Sequence, residues 1–402
     1  MLPSPDQPRS ASPSIPVAGR GTPVALDFQA TTPCDPVVIK TMEPWWSQHW
    51  GNPSSRQHQL GLMAAAAVSD ARERLARGLE VLPSQVIFTS GATEANNLAL
   101  LGHARALADQ HGRPGHLISL STEHHAVLDP LQQLRREGHR LTLLTPGADG
   151  LIDLEQLEAS FQSDTLLVSV MAANNEIGVL QPLGQISALC QQRGICLHSD
   201  AAQMVGHLPC SPTRVGVNLM SISGHKLYGP KGIGALIIGE GIKLQPLQFG
   251  GGQEQGLRPG TLPVPLVIGL AKAAELALDA MEAHSSRLAG LRDRLWEGLR
   301  GEIPGIQLNG ALQPRLPHNL NVTLPDVNGN RLHQQLRARL LCSSGSACSA
   351  GQPSHVLQAL GRSREEASAS LRLSLGRSTD ANDIQSAINA ISEVVHGMQR
   401  KR

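Results

Sequence analysis

Residues 218–226 read Asn-Leu-Met-Ser-Ile-Ser-Gly-His-Lys, and the rest of the chain is arranged around this stretch. The apolar run 218–222 is typical of a buried strand, and the Gly/Ser turn behind it ends on Lys226. An amine held in such a turn can be desolvated, and a desolvated amine is available in its neutral form for Schiff-base chemistry. The alternative is an ordinary solvated loop lysine.

Short apolar runs alternate with helical stretches on the N-terminal side of this lysine. The predicted strands are 85–89, 116–120, 140–144, 166–171, 195–199 and 218–222, and the predicted helices among them are 92–108, 126–136, 153–161 and 183–193. Strands buried on both faces and separated by crossover helices are typical of an α/β fold with a mostly parallel sheet.

The two ends of the chain have a different character. Residues 1–23 are rich in Pro and Ser, and we expect a disordered extension because they can bury little apolar surface. Helices are predicted at 35–49 and at 59–77, with Gly78 as a stop signal. Beyond Gly250-Gly251-Gly252 the pattern predicts a helical region at 264–299, a helix at 331–340, strands at 319–324 and 371–375, and a final helix at 381–398. The predicted division is a large α/β domain at 24–262 and a smaller α+β domain at 263–402.

Composition restricts the possible partners. The formal charge of the 402-residue chain is +1 and only 2% of its residues are aromatic, so neither the basic surface nor the stacking side chains of a nucleic-acid-binding protein are expected. No apolar run reaches membrane-spanning length. The six cysteines lack paired spacing, which favours reduced thiols and a cytoplasmic location. An organelle transit peptide at 1–23 is the alternative.

Polar residues follow several of the predicted strands. Ser90-Gly91-Ala92-Thr93 opens a helix directly after a strand, where free N–H groups and the helix dipole favour an anion. An ordinary helix cap is the alternative. His124, Asn175, Asp200 and Lys226 follow other strands, and ligands of parallel sheets bind at the carboxyl ends of the strands. We therefore expect a phosphate-bearing cofactor at this edge.

A second polar stretch runs from Cys342 to Gly351 and is built from Ser, Gly, Ala and two cysteines. Small residues around Cys348 suit an exposed nucleophilic thiol, whereas Cys342, at the end of an apolar run, fits a buried thiol. Farther on, Arg372 lies on a short apolar strand. It needs an anionic partner, which is either a substrate carboxylate or an acid elsewhere in the fold.

Nine motifs together carry a resemblance to a known family. They are Leu26-Asp27 with Ala30-Thr31-Thr32-Pro33, Gly51-Asn52-Pro53-Ser54-Ser55, Thr89-Ser90-Gly91-Ala92-Thr93-Glu94, Thr122-Glu123-His124, Asn174-Asn175-Glu176-Ile177-Gly178, Asp200-Ala201-Ala202-Gln203, Ser223-Gly224-His225-Lys226, Gly250-Gly251-Gly252 through Arg258-Pro259-Gly260-Thr261, and Ser343-Ser344-Gly345-Ser346-Ala347-Cys348. The chain resembles the cysteine desulfurases of the class V aminotransferase group, and is most similar to their NifS/IscS-type branch. The resemblance covers the chain from Leu26 to its final helix.

The resemblance implies a homodimer of the fold-type I pyridoxal-phosphate (PLP) architecture, with L-cysteine as substrate and with sulfur-acceptor or iron–sulfur scaffold proteins as partners. The implied roles are Lys226 as Schiff-base lysine, Asp200 at the pyridine nitrogen, His124 stacked on the ring as acid/base group, Ala92, Thr93, Ser223 and His225 at the phosphate, Thr261 reaching the phosphate of the other subunit, Asn175 and Gln203 near the ring oxygen, Asn52 and Arg372 at the substrate carboxylate, and Cys348 as sulfur acceptor. No metal is implied.

Two departures from the family pattern accompany this resemblance. The segment from Cys348 to His355 is a little shorter than in close relatives, which predicts a more limited delivery of sulfur to outside acceptors. Pro259 stands where relatives commonly carry Ser. Two other functions are compatible with the residues: a selenocysteine lyase or another class V PLP enzyme that does not need Cys348, and a non-catalytic scaffold that only binds partners.

Overall fold

A seven-stranded sheet forms the centre of the larger part of the molecule. The computed structural model describes residues 23–344 and 353–400. The strands are β1 (Val24–Ala25), β2 (Val86–Thr89), β3 (His116–Leu120), β4 (Arg140–Leu144), β5 (Thr165–Ser169), β6 (Cys196–Asp200), β7 (Leu219–Ser223), β8 (Gly234–Ile238), β9 (Gln307–Leu308), β10 (Asn319–Thr323), β11 (Leu340–Leu341) and β12 (Ser370–Ser374).

Helices surround this sheet and a smaller one. They are α1 (Pro36–Met42), α2 (Pro44–Ser47), α3 (Gln59–Leu79), α4 (Ala92–His111), α5 (His125–Arg136), α6 (Leu154–Ala159), α7 (Leu183–Gln191), α8 (Pro212–Val215), α9 (Val264–Asp279), α10 (Met281–Glu302), α11 (Gly329–Leu336), α12 (His355–Ala359), α13 (Arg364–Ser368) and α14 (Ala381–Gln399). Among the described residues, no helix combines the length and the apolar character that a membrane crossing requires.

The strand order of the large sheet is β2-β8-β7-β6-β5-β3-β4. All pairings from β7 to β4 are parallel, whereas β8 is antiparallel to both β7 and β2. Because β8 runs opposite to its two neighbours, β2 points the same way as β7. The carboxyl ends of β2, β7, β6, β5 and β3 therefore meet at one edge, and the predicted mostly parallel α/β fold is confirmed.

Several element boundaries differ from the sequence prediction. The single helix expected at 35–49 is wrong, because Pro44 starts a separate helix after Glu43. Gly78 does not stop α3, which continues to Leu79 and ends where Glu80 adopts a left-handed conformation at φ 58°. The helical region at 264–299 consists of two helices, which pack against different parts of the fold. α9 packs against α1 and α3, whereas α10 packs against α14.

Three large apolar cores support the seven-stranded and the three-stranded sheet in the described part of the chain. Residues of α1, α3 and α9 pack on one face of the seven-stranded sheet, while α4 and α5 cover the other face. The third core joins α10, α11 and α14 to the three-stranded sheet β12-β10-β9, and it includes Leu26 from the N-terminal part of the chain. The proposed domain boundary at residue 262 stays a prediction. The helix α9, which follows this boundary, packs against the large sheet. The strand β1, which precedes it, pairs with β11 beside the small sheet.

Candidate active site

The strand ends enclose a cavity of about 520 Å³. β-sheet register explains why distant segments meet there, because Thr89 of β2 and Ser223 of β7 both pair with Gly234 of β8. The predicted site residues that line the cavity are Ala92, Thr93, His124, Asn175, Asp200, Gln203, Ser223, His225, Lys226 and Arg372. Residues predicted from segments far apart in sequence are thus neighbours in the fold.

Three predicted site residues are not among those lining the cavity. Asn52 is exposed, and its side-chain oxygen accepts a hydrogen bond from the Ser54 amide at 2.9 Å. Thr261 is also exposed. Cys348 lies outside the described residues. The roles assigned to these three residues remain predictions.

The predicted anion site is the N-terminus of α4. No side chain caps this helix, and Gly91 before it has φ 152°, a backbone conformation that favours glycine. A Cβ on Gly234 would lie 2.7 Å from the Gly91 Cα, so only glycine at 234 lets the helix start approach the sheet this closely. The amides of Ala92 and Thr93 are therefore presented to the cavity without a competing cap.

Glu94 fixes the turn in front of this helix. Its carboxylate accepts a hydrogen bond from the Ser90 amide at 2.6 Å and one from Arg258 Nε at 2.9 Å. Burial alone would raise the pKa of the Glu94 carboxyl, but the hydrogen bonds from Arg258 and Ser90 lower it below its usual value. The carboxylate is therefore ionised and links α4 to the loop that leads to Thr261.

Asp200 is held from two sides at the end of β6. Asn96 Nδ2 donates to its Oδ2 at 2.7 Å, and the Ala202 amide donates to its Oδ1 at 2.9 Å. Asp200 is 9% exposed and Asn96 is fully buried. The two hydrogen bonds hold the Asp200 carboxylate in a fixed orientation at the cavity wall.

Lys226 lies at the end of the turn after β7, as the sequence predicts. Its Nζ donates to the carbonyl oxygens of Gln29 and Ala30, the latter at 2.9 Å. Gln29 is 1% exposed and also lines the cavity. The amine is therefore directed by backbone from the N-terminal segment, far from Lys226 in sequence.

His124 caps the helix that follows it. Its Nδ1 accepts a hydrogen bond from the Ala126 amide at 3.0 Å, so the neutral ring carries its proton on Nε2. Burial lowers the pKa of the His124 imidazole, and nearby Lys226, His125 and His355 act in the same direction while Asp200 opposes them. The ring is consequently neutral near pH 7, and Nε2–H is its proton donor.

His225 is neutral as well. Burial and the charges of Lys226 and Lys231 lower the pKa of this imidazole to about 4. One ring nitrogen lies 3.1 Å from the Thr31 hydroxyl. At the cavity wall His225 can therefore act as a hydrogen-bond partner but not as a positive charge.

The Asn175 and Gln203 side chains contribute uncharged polar atoms. Among the described residues, Asn175 Oδ1 is buried and has no hydrogen-bond partner. Gln203 exchanges weak hydrogen bonds with Gln29, at 3.3 and 3.4 Å. A buried polar atom without a partner in a cavity wall indicates that a ligand group completes its hydrogen bonding.

Arg372 is almost completely buried on β12, at 1% exposure. It pairs with Asp27 at 2.8 Å and donates to the Asn175 carbonyl at 3.0 Å. The ion pair expected under the structural alternative is thus present. Arg372 also lines the cavity, and its Nε has no partner among the described residues, so its predicted grip on a substrate carboxylate stays a prediction.

The described cysteines are poor nucleophiles. Desolvation raises the pKa of Cys342 to about 12, with a contribution from nearby Asp27, and burial raises the pKa of Cys190 and Cys210 to about 12 as well. Thiols with such pKa values are protonated at neutral pH and do not attack sulfur. In the part of the chain that the structure describes, no cluster of His, Cys, Asp or Glu could hold a metal ion.

Comparison with known proteins identifies the family. The sequence model of the Aminotransferase class-V family matches residues 24–386. The cysteine desulfurase IscS of Photorhabdus laumondii is 46% identical over 379 residues, covering 93% of each chain. The corresponding protein of Dechloromonas aromatica is 42% identical and covers 93% of this chain and 92% of its own length.

The chain belongs to the class-V aminotransferases, on their NifS/IscS-type cysteine desulfurase branch.

Solved structures agree with this assignment to the class-V aminotransferases. A NifS-like protein superimposes with a TM-score of 0.87 at 33% identity, covering 93% of this chain and all of its own. The structure of SspA in complex with cysteine gives a TM-score of 0.77 at 37% identity, covering 87% of this chain and 98% of that one. The predicted fold-type I architecture is therefore confirmed.

Class-V aminotransferases depend on PLP, and the cavity fits this cofactor. The uncapped start of α4 suits a phosphate, Asp200 suits a protonated pyridine nitrogen, and Lys226 offers an amine at the same edge. The unpartnered Oδ1 of Asn175 adds a polar atom that no described residue satisfies. Each of these features suits a different chemical group of PLP.

Three residues of this class-V site were missed by the sequence analysis: Asn96, Gln29 and Lys231. The position of Asn96 in the helix could have indicated it. Asn96 lies four residues after Ala92, on the same helix face, and its sequence neighbours Ala95 and Leu98 are buried. The others gave no such signal. Their positions depend on contacts between segments that are distant in sequence.

Proposed function

We propose that this chain is a PLP-dependent cysteine desulfurase, which removes sulfur from L-cysteine and leaves L-alanine and a persulfide on Cys348. The observation that carries the proposal is the convergence of Lys226, Asp200, His124 and the start of α4 on one cavity. When bound there, PLP withdraws electrons from the substrate Cα, which makes proton loss from that carbon and cleavage of the carbon–sulfur bond feasible.

The chain supplies a binding residue for each part of the cofactor. Ala92, Thr93, Ser223 and His225 would hold the phosphate, and the neutral His225 would do so through a hydrogen bond and not through charge. Asp200 would keep the pyridine nitrogen protonated, Asn175 and Gln203 would contact the ring oxygen, and Lys226 would hold the cofactor covalently. Arg372 and Asn52 would bind the substrate carboxylate.

Proton transfer at the substrate carbon is the task of two side chains. Lys226 Nζ, directed by the Gln29 and Ala30 carbonyls, is the candidate base for the Cα proton. His124 is better suited to donate, because its Nδ1 is engaged by the Ala126 amide and its proton lies on Nε2. To accept a proton at Nδ1, the ring would have to break this helix cap.

The proposed sulfur transfer needs no reactant other than the substrate L-cysteine and the Cys348 thiolate. The Cys348 thiolate attacks the substrate sulfur, a sulfur–sulfur bond forms, and the carbon–sulfur bond breaks with its electron pair retained by carbon. Protonation of that carbon and return of a proton to Cα complete alanine, so the reaction balances without an external oxidant. Ser343, five residues before Cys348, is tied to Arg372 and Asp27 beside the cavity. Five extended residues span at most about 17 Å.

A homodimer completes the proposed site. The Trp50 and Phe249 side chains are 68% and 88% exposed. Large apolar side chains with this exposure in a single chain are typical of a surface that contacts another subunit. Thr261 is exposed and does not line the cavity of its own chain, as expected for a residue that acts in the cavity of a partner. Light scattering of the purified protein tests this part of the proposal, and a monomer would contradict it.

The persulfide would be passed to sulfur-acceptor or iron–sulfur scaffold proteins in the cytoplasm. This part of the proposal follows from the chemistry of the product, because a persulfide sulfur is readily attacked by an acceptor thiol. Transfer to a purified scaffold protein carrying a free cysteine measures it directly.

A single incubation tests the reaction. The protein is mixed with L-cysteine, alanine is quantified, and persulfide is mapped by mass spectrometry. We expect alanine and a persulfide on Cys348. Cys348→Ala should abolish both persulfide and turnover, while Cys342→Ala, a control in the same part of the chain, should retain them. Full sulfide release by Cys348→Ala would favour the lyase alternative, and a colourless protein unaffected by borohydride would favour the scaffold.

A further inference from the structure

The first turn of α12 is fastened to the cavity wall at two points. The Ser354 hydroxyl donates to the Glu176 carboxylate and accepts the Leu357 amide at 3.0 Å. The neighbouring ring of His355 places Nε2 3.0 Å from the main-chain oxygen of Glu123. Because a carbonyl can only accept, Nε2 carries the proton of this hydrogen bond. Both contacts reach residues that directly adjoin cavity-lining side chains, His124 after Glu123 and Asn175 before Glu176.

Glu123 is itself a fixed point of the strand end. It is fully buried, and its Oε1 accepts the Met171 amide at 2.7 Å. Burial raises the pKa of this carboxyl well above its usual value, and the negative charge of Asp200 acts in the same direction. The side chain therefore anchors the segment to the turn after β5, and the His355 ring anchors its main chain from the other side.

The His355 ring also contacts the start of α5. It lies 4.9 Å from the ring of His125, the first residue of α5, at an angle of 49°. His125 in turn lies 3.6 Å from Asp129 of the same helix. The imidazole of His355 is thus placed between the start of α5 and the Glu123 carbonyl, and it restrains the backbone immediately before His124.

We propose that His355 is a positioning residue for His124: its ring fastens α12 to the Glu123 carbonyl and thereby fixes the strand end that carries His124. This inference deepens the proposed function and rests on it for its kinetic consequence. The geometric consequence is independent of catalysis. Without the contact, the Glu123 carbonyl loses its hydrogen bond to α12, and the Nε2–H of His124 is less accurately directed into the cavity.

Three variants of the holoenzyme test the proposal. His355→Phe keeps a ring but loses the donor, whereas His355→Gln keeps a donor of similar reach. His396→Phe is the matched control, because His396 places Nε2 2.9 Å from the Glu302 carbonyl in a part of the fold that does not line the cavity. It reports what the loss of such a ring-to-carbonyl bond does elsewhere.

Hydrogen exchange of the backbone is the first measurement, since it does not depend on turnover. We expect the amides of 123–126 to exchange about fivefold faster in His355→Phe, as the loss of one partly buried hydrogen bond predicts, and to be unchanged in His396→Phe. Near-normal exchange in His355→Gln is also expected. Unchanged exchange in His355→Phe, or equal effects of Phe and Gln, would overturn the proposal.

Alanine formation from L-cysteine is the second measurement. We expect His355→Phe to lower kcat about fivefold with KM and cofactor absorbance unchanged, and His355→Gln to recover most of the loss. A parallel rise in KM would indicate general damage to the site and would contradict a role confined to His124. If the wild-type protein formed no alanine, the proposed function would fail, while the exchange result would still decide the structural role of His355.

Discussion

Replacing Asn96 by Ala should weaken the site without reshaping it. The Asp200 carboxylate receives two hydrogen bonds, one from Asn96 Nδ2 at 2.7 Å and one from the Ala202 amide at 2.9 Å. Asn96→Ala removes the first and leaves a buried carboxylate oxygen without its donor. A hydrogen bond to a charged group contributes about 1.5–3 kcal/mol, so we expect a loss of this size in the free energy of unfolding.

The adjacent Asn97 provides the control. Its Nδ2 donates to the Thr93 carbonyl at 2.9 Å, within the exposed surface of α4, and it does not contact Asp200. Asn97→Ala should change the free energy of unfolding by less than about 0.5 kcal/mol. Asn96→Asp tests the charge: it would place a second carboxylate against Asp200, so we expect it to be more harmful than Asn96→Ala.

Two assays decide the outcome. Denaturant unfolding of the cofactor-free protein measures the structural loss, and alanine formation by the reconstituted protein measures the functional one. If Asp200 must be oriented to partner the pyridine nitrogen, Asn96→Ala should also lower the rate about tenfold, equivalent to about 1.4 kcal/mol. The reasoning is refuted if Asn96→Ala and Asn97→Ala behave alike in both assays.

Two further predictions concern stability. Glu254 forms an ion pair with Arg72 and its side chain is only 1% exposed, so Glu254→Ala should lower the free energy of unfolding by about 3–5 kcal/mol in denaturant melts. Glu158→Ala breaks an exposed ion pair and should lower it by less than about 1 kcal/mol. Similar losses in the two variants would contradict the role of burial. Burial lowers the pKa of His198 to about 3, so only the unfolded chain binds this proton between pH 6.5 and 3 and stability falls as pH falls through that window. His198→Gln should remove about 1.4 kcal/mol of the loss between pH 7.5 and 5.5, and an unchanged pH dependence would disprove the assignment.

The fold class could be predicted from sequence because its signals are local. Runs such as 116–120 and 140–144 are apolar over strand length, and the structure places β3 and β4 within the same limits. The antiparallel β8 was missed, although it joins β2 to the rest of the sheet. Its five residues follow a lysine- and glycine-rich turn, and nothing in their composition reveals the direction in which the strand runs.

The site residues that could be predicted are also those with a local sequence signal. Lys226, Asp200, His124 and Thr93 could be predicted because each follows its own strand, and parallel strands bring their carboxyl ends together whatever the details of packing. The convergence of these residues on one cavity agrees with that expectation.

The sequence by itself therefore determined the α/β architecture, the family and the principal side chains of the site, since hydrophobic periodicity and motifs are written in neighbouring residues. Only the tertiary structure decided which side chains hold them in place. Asn96 reaches Asp200 across 104 positions, Arg372 reaches Asp27 across 345, and His355 reaches Glu123 across 232. Such contacts form only after the core has packed, because the energy of a buried hydrogen bond depends on partners that no local pattern specifies.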